Sequence, residues 1–148
     1  MPQSMSRVLV HAVFSTKHRV PLLNVSVREQ LHPYIGGVLK NLECPPLQIG
    51  GFVDHVHLFF ALSKNLSQAE VMNKVKSNSS RWLSETFHEC REFSWQPGYG
   101  IKSVDPVNHG GLLSYIQNQE DHHKKISFLE EYREFLESGG IHYDERDL

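Results

Sequence analysis

The chain has 148 residues, 39% of them hydrophobic, and a formal net charge of −2, enough for one domain spanning 1–148 with a core of its own. Its two cysteines, Cys44 and Cys90, lie far apart, which excludes a CxxC pair or a thiolate zinc site and fits a reducing, cytoplasmic setting. The start, MPQSMSRVLV, lacks a signal-peptide pattern, and no apolar run approaches membrane-spanning length, so neither secretion nor a membrane partner is expected.

Residues 8–15, VLVHAVFS, are rich in β-branched and aromatic side chains and close on polar STKHR, which predicts a strand. Leu31, Ile35, Val38, Leu39 and Leu42 then recur near helical spacing within 27–42 and stop before Pro45-Pro46. Two apolar runs, 47–53 and 55–62, separated by little more than Asp54, predict an antiparallel hairpin in which Gly50-Gly51 marks a bulge. Ser67 and Glu70 form a capping box ahead of a long apolar stripe, Ala69, Met72, Val75, Trp82, Leu83 and Phe87. A weaker strand is expected within 93–104, broken by Pro97-Gly98, followed by helices over 108–123 and 128–138.

The order β-α-β-β-α-β predicts an α+β, ferredoxin-like antiparallel sheet with helices on one face and the other face free for substrate, followed by C-terminal helices. Alternation in the second hairpin strand places His55, His57, Phe59 and Ala61 on one face and Val56, Leu58, Phe60 and Leu62 on the core face. Residues two apart on a strand lie about 6 to 7 Å apart on one side, so His55 and His57 can reach one metal ion. A pair of ordinary hydrogen-bonded histidines is the other open reading.

Two histidines seldom complete a reactive site. Tyr115 and Gln119, four apart, share a helix face. A glutamine carbonyl with two imidazoles makes a mixed nitrogen and oxygen site suited to Mg²⁺ or Mn²⁺ and possible for Zn²⁺. Tyr115 would be the nucleophile beside it, the alternative being a tyrosine that packs its helix on the sheet. His122 and His123 are expected to be exposed helix-end residues outside the metal site.

These residues carry a family resemblance. The HVH strand and the YIQNQEDHH helix, together with HAVFSTKHR, YIGGVLKNLECPPLQIGGFVDHVHL, WQPGYGIKSVDP and the closing GIHYDERDL, resemble the HUH single-tyrosine transposases (transposase A of IS-two-hundred type insertion sequences). The resemblance implies that His55, His57 and Gln119 bind a divalent metal and that Tyr115 attacks DNA to leave a 5′-phosphotyrosine and a free 3′-hydroxyl. It also implies a homodimer acting on single-stranded DNA with hairpin-bearing element ends. Gly110-Gly111 before the tyrosine helix costs helix stability and supplies a hinge on which that helix can move.

Charge is unevenly placed: residues 1–128 carry 13 Lys/Arg against 10 Asp/Glu, whereas 129–148 carry Arg133 and Arg146 against seven acids. The acidic balance belongs to the tail and leaves the body free to host a basic surface. Candidate DNA contacts are Lys74, Asn78 and Arg81, with Ser77, on one stripe of the long helix, and Lys17 and Arg19 beside His18 after the first strand. Trp95 and Tyr99 are candidates for base stacking or for core packing. Rival functions are a domesticated relative that processes genomic hairpin repeats, a non-catalytic single-stranded nucleic-acid-binding module, and a histidine-rich metal-binding protein.

Overall fold

In the computed structural model, which describes residues 4–148, the alternating and helical patterns become β1 (Leu9–Ser15), α1 (Val25–Asn41), β2 (Pro46–Phe52), β3 (His55–Ala61), α2 (Gln68–Thr86) and β4 (Gly100–Val104). Three further helices follow: α3 (Gly110–Gln117), α4 (Gln119–His122) and α5 (Phe128–Ser138). The strand order is β2-β3-β1-β4 with every neighbouring pair antiparallel. β3 therefore sits between β1 and β2, the split arrangement of a ferredoxin-like α+β fold. Local signals start the helices where expected. Asn24 caps α1 by accepting from Val27 N–H, and Ser67 and Glu70 form the reciprocal capping box of α2.

The strands separate two apolar layers. Val10, Ala12 and Phe14 of β1 and Val56, Leu58 and Phe60 of β3 face α1 and α2, joined by Leu31, Ile35, Met72 and Leu83. The other face carries Val13 against Phe128, Tyr132, Phe135 and Leu136 of α5, and Leu9 and Phe59 against Ile116 of α3. This face is not open, as the sequence suggested, because the acidic tail hides an apolar stripe within α5 that needs a sheet to cover it. Two glycines let the helices come close. A Cβ on Gly50 would lie 2.4 Å from the Ile116 carbonyl oxygen, and one on Gly100 would lie 2.8 Å from the Tyr132 ring.

Three local expectations change. Gly50 and Gly51 pair regularly with His57 and Val56, and the register shift falls between Pro46 and Gln48; the glycines serve close approach, not a bulge. The last strand shortens to Gly100–Val104, with Trp95 making only an isolated bridge to Thr16, because Pro97 has no N–H to pair and Gly98 turns the chain at φ 95°. The stretch expected as one helix over 108–123 begins at Gly110 and breaks at Asn118, whose φ of −101° and ψ of 27° leave the helical region.

Candidate metal and tyrosine site

β3 delivers His55 and His57 to the α3–α5 side of the sheet, where they are 0% and 1% exposed. Imidazoles this deeply buried need partners for both nitrogens, and each has them. His55 Nδ1 lies 2.8 Å from Asp54 Oδ1, and its Nε2 lies 2.9 Å from Gln119 Oε1. His57 Nδ1 lies 2.8 Å from His11 Nε2, and its Nε2 lies 3.0 Å from a carboxylate oxygen of Glu131. In both residues Nε2 points into the cluster while Nδ1 is held from outside, the arrangement that fixes the tautomer and ring orientation of a metal-ligating histidine.

Tyr115 and Gln119 converge on the same point despite the break between α3 and α4. Gln119 is 1% exposed, and its amide nitrogen donates to Glu131 Oε2 at 3.1 Å and to the Tyr115 carbonyl at 3.4 Å. The Tyr115 hydroxyl donates to Glu131 Oε2, and its ring packs edge-on against His57. The four residues expected from the sequence, His55, His57, Tyr115 and Gln119, therefore meet.

Glu131, His123, His11 and Asp54 join them unforeseen. Glu131 is 3% exposed on α5, at the centre of the cluster. His123 is not an exposed helix-end residue: its side chain is 3% exposed, and its Nε2 lies 2.9 Å from Gln119 Oε1 and 3.2 Å from Glu131 Oε1. The turn after α4 directs it inward, where its ring stacks on Phe52. His122 is half-buried, its Nε2 3.3 Å from Glu131 Oε2 but not oriented to hydrogen-bond. A carboxylate on an otherwise apolar helix stripe was the available signal for Glu131, since position 131 falls between Phe128 and Phe135 at helical spacing.

Burial and charge set the ionisation of these groups. Burial alone would depress the His55 imidazole, but hydrogen bonds with Asp54 and Glu131 outweigh it and push it up to about 9. Burial dominates at His57, which is lowered despite Glu131, and at His11, pushed down to about 3 with the help of His57 and Lys102. Glu131 resists the upward pull of burial because His123, His55 and His57 hydrogen-bond its carboxylate, holding it far below the usual range. Burial and the Glu131 charge together push the Tyr115 phenol up.

The donor set fits a divalent cation. His55, His57 and Glu131 each offer one ligand atom, all within 4.8 Å of one another, and the Gln119 carbonyl oxygen lies on the same cluster. Imidazole, amide and carboxylate donors in one buried pocket match Mn²⁺ or Mg²⁺ chemistry and also admit Zn²⁺. A cavity of about 420 Å³, lined in part by His11, Lys102, Leu112, Tyr115, Glu131 and Phe135, opens beside the tyrosine.

The candidate DNA contacts divide. Lys17 and Arg19 line a second cavity, about 460 Å³, with His18, Gln96 and Arg146. Lys74 and Arg81 are exposed and Asn78 half-buried on α2, across the sheet from the histidine cluster. Trp95 is core: 7% exposed, edge-on to Phe14 and Phe93, its indole N–H donating to Ser79 Oγ at 2.9 Å.

A sequence model of the family described as "Transposase IS200 like" matches residues 4–119. No curated protein sequence matches the chain significantly. Among solved structures, a Deinococcus radiodurans R1 protein with a provisional transposase assignment superposes with a TM-score of 0.64 at 19% identity, over 80% of this chain and 98% of that one. A REP-associated tyrosine transposase bound to a REP hairpin superposes with a TM-score of 0.60 at 13% identity, over 85% of this chain and 76% of that one. Both share the fold.

Proposed function

The chain belongs to the family of IS200-like transposases, and from that premise we propose that it cleaves and rejoins single-stranded DNA through a covalent bond to Tyr115. The observation that carries this reading is the convergence of the Tyr115 hydroxyl with His55, His57 and Gln119 in one buried cluster. A tyrosine packed only to hold its helix would have no need to aim its hydroxyl at the carboxylate on which His57 and Gln119 also converge.

His55, His57 and Gln119 hold the ion. When bound, a divalent metal polarises the scissile phosphate and offsets its negative charge. Tyr115 attacks that phosphate, releasing a 3′-hydroxyl and keeping the phosphodiester energy in the 5′-phosphotyrosine, so that another 3′-hydroxyl can rejoin the strand without ATP. The cavity beside Tyr115 admits the strand, and Lys102 at its wall supplies a cation for a phosphate. His11 and Asp54 orient the two histidines from behind. Asp54→Asn is therefore expected to weaken Mn²⁺ binding about 10–100-fold; unchanged affinity by calorimetry would show that Asp54 does not support the site.

The DNA partner is read as a hairpin-bearing single strand, supported by the structural neighbour bound to a REP hairpin. Lys17 and Arg19, with Arg146, are the favoured backbone contacts, since they line one cavity. Lys74, Asn78 and Arg81 would serve a second DNA segment, or the homodimer, on the far face.

The test is incubation with labelled single-stranded DNA from the flanks of its own gene, with Mg²⁺ or Mn²⁺. We expect a covalent adduct that maps to Tyr115 by mass spectrometry and disappears with EDTA. Hairpin binding with no adduct in either metal would identify a non-catalytic binding module instead. The same neighbour also favours a second reading, processing of genomic hairpin repeats with the same chemistry; flanks without hairpin-bearing element ends would select it.

A further inference from the structure

Glu131 touches both halves of the site, and it comes from α5, beyond the residues 4–119 that match the family. Its Oε1 lies 3.0 Å from His57 Nε2, 3.3 Å from His55 Nε2 and 3.2 Å from His123 Nε2. Its Oε2 accepts from the Tyr115 hydroxyl and, at 3.1 Å, from the Gln119 amide. A carboxylate 3% exposed is not a solvated surface charge and must be neutralised where it sits. The two oxygens are thus divided between the metal donors and the nucleophile.

We propose that Glu131 is a further catalytic residue: through Oε1 it is a fourth ligand of the ion, and through Oε2 it holds the Tyr115 hydroxyl beside that ion. The proposal rests on Tyr115 being the nucleophile. Attack requires the phenolic oxygen to stand within reach of the phosphate that the ion would bind, and the Glu131 carboxylate joins the hydroxyl to the metal donors. As the bond from Tyr115 Oη to phosphorus forms, the phenolic proton passes to water. The bond from phosphorus to the flanking 3′-oxygen breaks, and that oxygen takes a proton from water to leave as a 3′-hydroxyl. In rejoining, an incoming 3′-hydroxyl loses its proton to water as it displaces the phenolate, which takes a proton from water.

Glu131→Gln keeps the volume and hydrogen-bonding capacity of the side chain while removing its charge and basicity. It should slow adduct formation about 10²-fold and weaken Mn²⁺ binding to the protein alone, measured by calorimetry, about tenfold or more. Hairpin binding should stay at the wild-type level. An E131Q adduct rate equal to or above wild type would overturn the proposal, the latter by showing that the carboxylate only restrains the tyrosine. Unchanged Mn²⁺ affinity would overturn the ligand role. Failure of the wild-type protein to form any adduct at Tyr115 would instead overturn the nucleophile assignment and this proposal with it.

Discussion

Tyr115→Phe is expected to abolish the covalent protein–DNA adduct while leaving hairpin binding within about twofold of wild type, a difference of no more than about 0.4 kcal/mol. The substitution removes one oxygen. The edge-on contacts of the ring with His57 and His122 depend on its carbons and remain, and so does the packing of neighbouring Ile116, which is 1% exposed. Stability should fall modestly, because a hydrogen bond to a charged group contributes about 1.5–3 kcal/mol and the partner, Glu131 Oε2, keeps the Gln119 amide. A gel assay for the adduct and a binding titration on the same hairpin separate chemistry from recognition. An adduct retained in the variant would sink the mechanism, since another residue would then have to be attacking.

The layered fold was legible because each element carries its own local signal. Alternation in β3 put His55 and His57 on one face and Val56, Leu58 and Phe60 on the other, as found, and Ser67 with Glu70 located the start of α2. The coverage of the second face was not legible, because it depends on an absence. Gly50 and Gly100 read as weak strand residues, and only the packed helices show that a side chain there would collide.

Within the site, the residues that repeat at short spacing were readable and those recruited across the fold were not. His55 and His57 are two apart, and Tyr115 and Gln119 four apart. Glu131 stands among Glu130, Glu134 and Glu137, where an acidic helix reads as a solvated face unless its apolar stripe is drawn first. His123 was misjudged because the turn that follows α4 directs it inward, a geometry that helical spacing does not encode. His11 needs the register of β1 on β3 to come within reach of His57.

Gly50→Ala should be nearly as damaging to catalysis as loss of a ligand, although Gly50 touches none of the reacting groups. Its added Cβ would sit 2.4 Å from the Ile116 carbonyl oxygen and 3.2 Å from the carbonyl carbon. Backbone cannot rotate aside as a flexible side chain can, so α3 must shift away from β2. Ile116 adjoins Tyr115, and the shift therefore moves the tyrosine relative to His57, which pairs with Gly50 in the sheet. Overpacking of this kind costs about 1–3 kcal/mol of stability, and displacement of a reacting group by about 1 Å costs about 10²-fold in rate. Adduct formation should fall by about that factor while the protein remains folded and hairpin binding stays near the wild-type level. Gly110→Ala and Gly111→Ala are the controls, because a Cβ at either meets nothing within 4 Å and replacing helical glycine should stabilise α3 by about 0.5–1 kcal/mol. If the tyrosine helix works as a hinge, those stabilised variants will also slow, without the loss of melting temperature seen in Gly50→Ala. Equal, high hydrogen-exchange protection across residues 106–120 in the wild type would remove the hinge. Full cleavage activity in Gly50→Ala would show that the tyrosine tolerates displacement, and that the close seating of α3 on β2 serves stability alone.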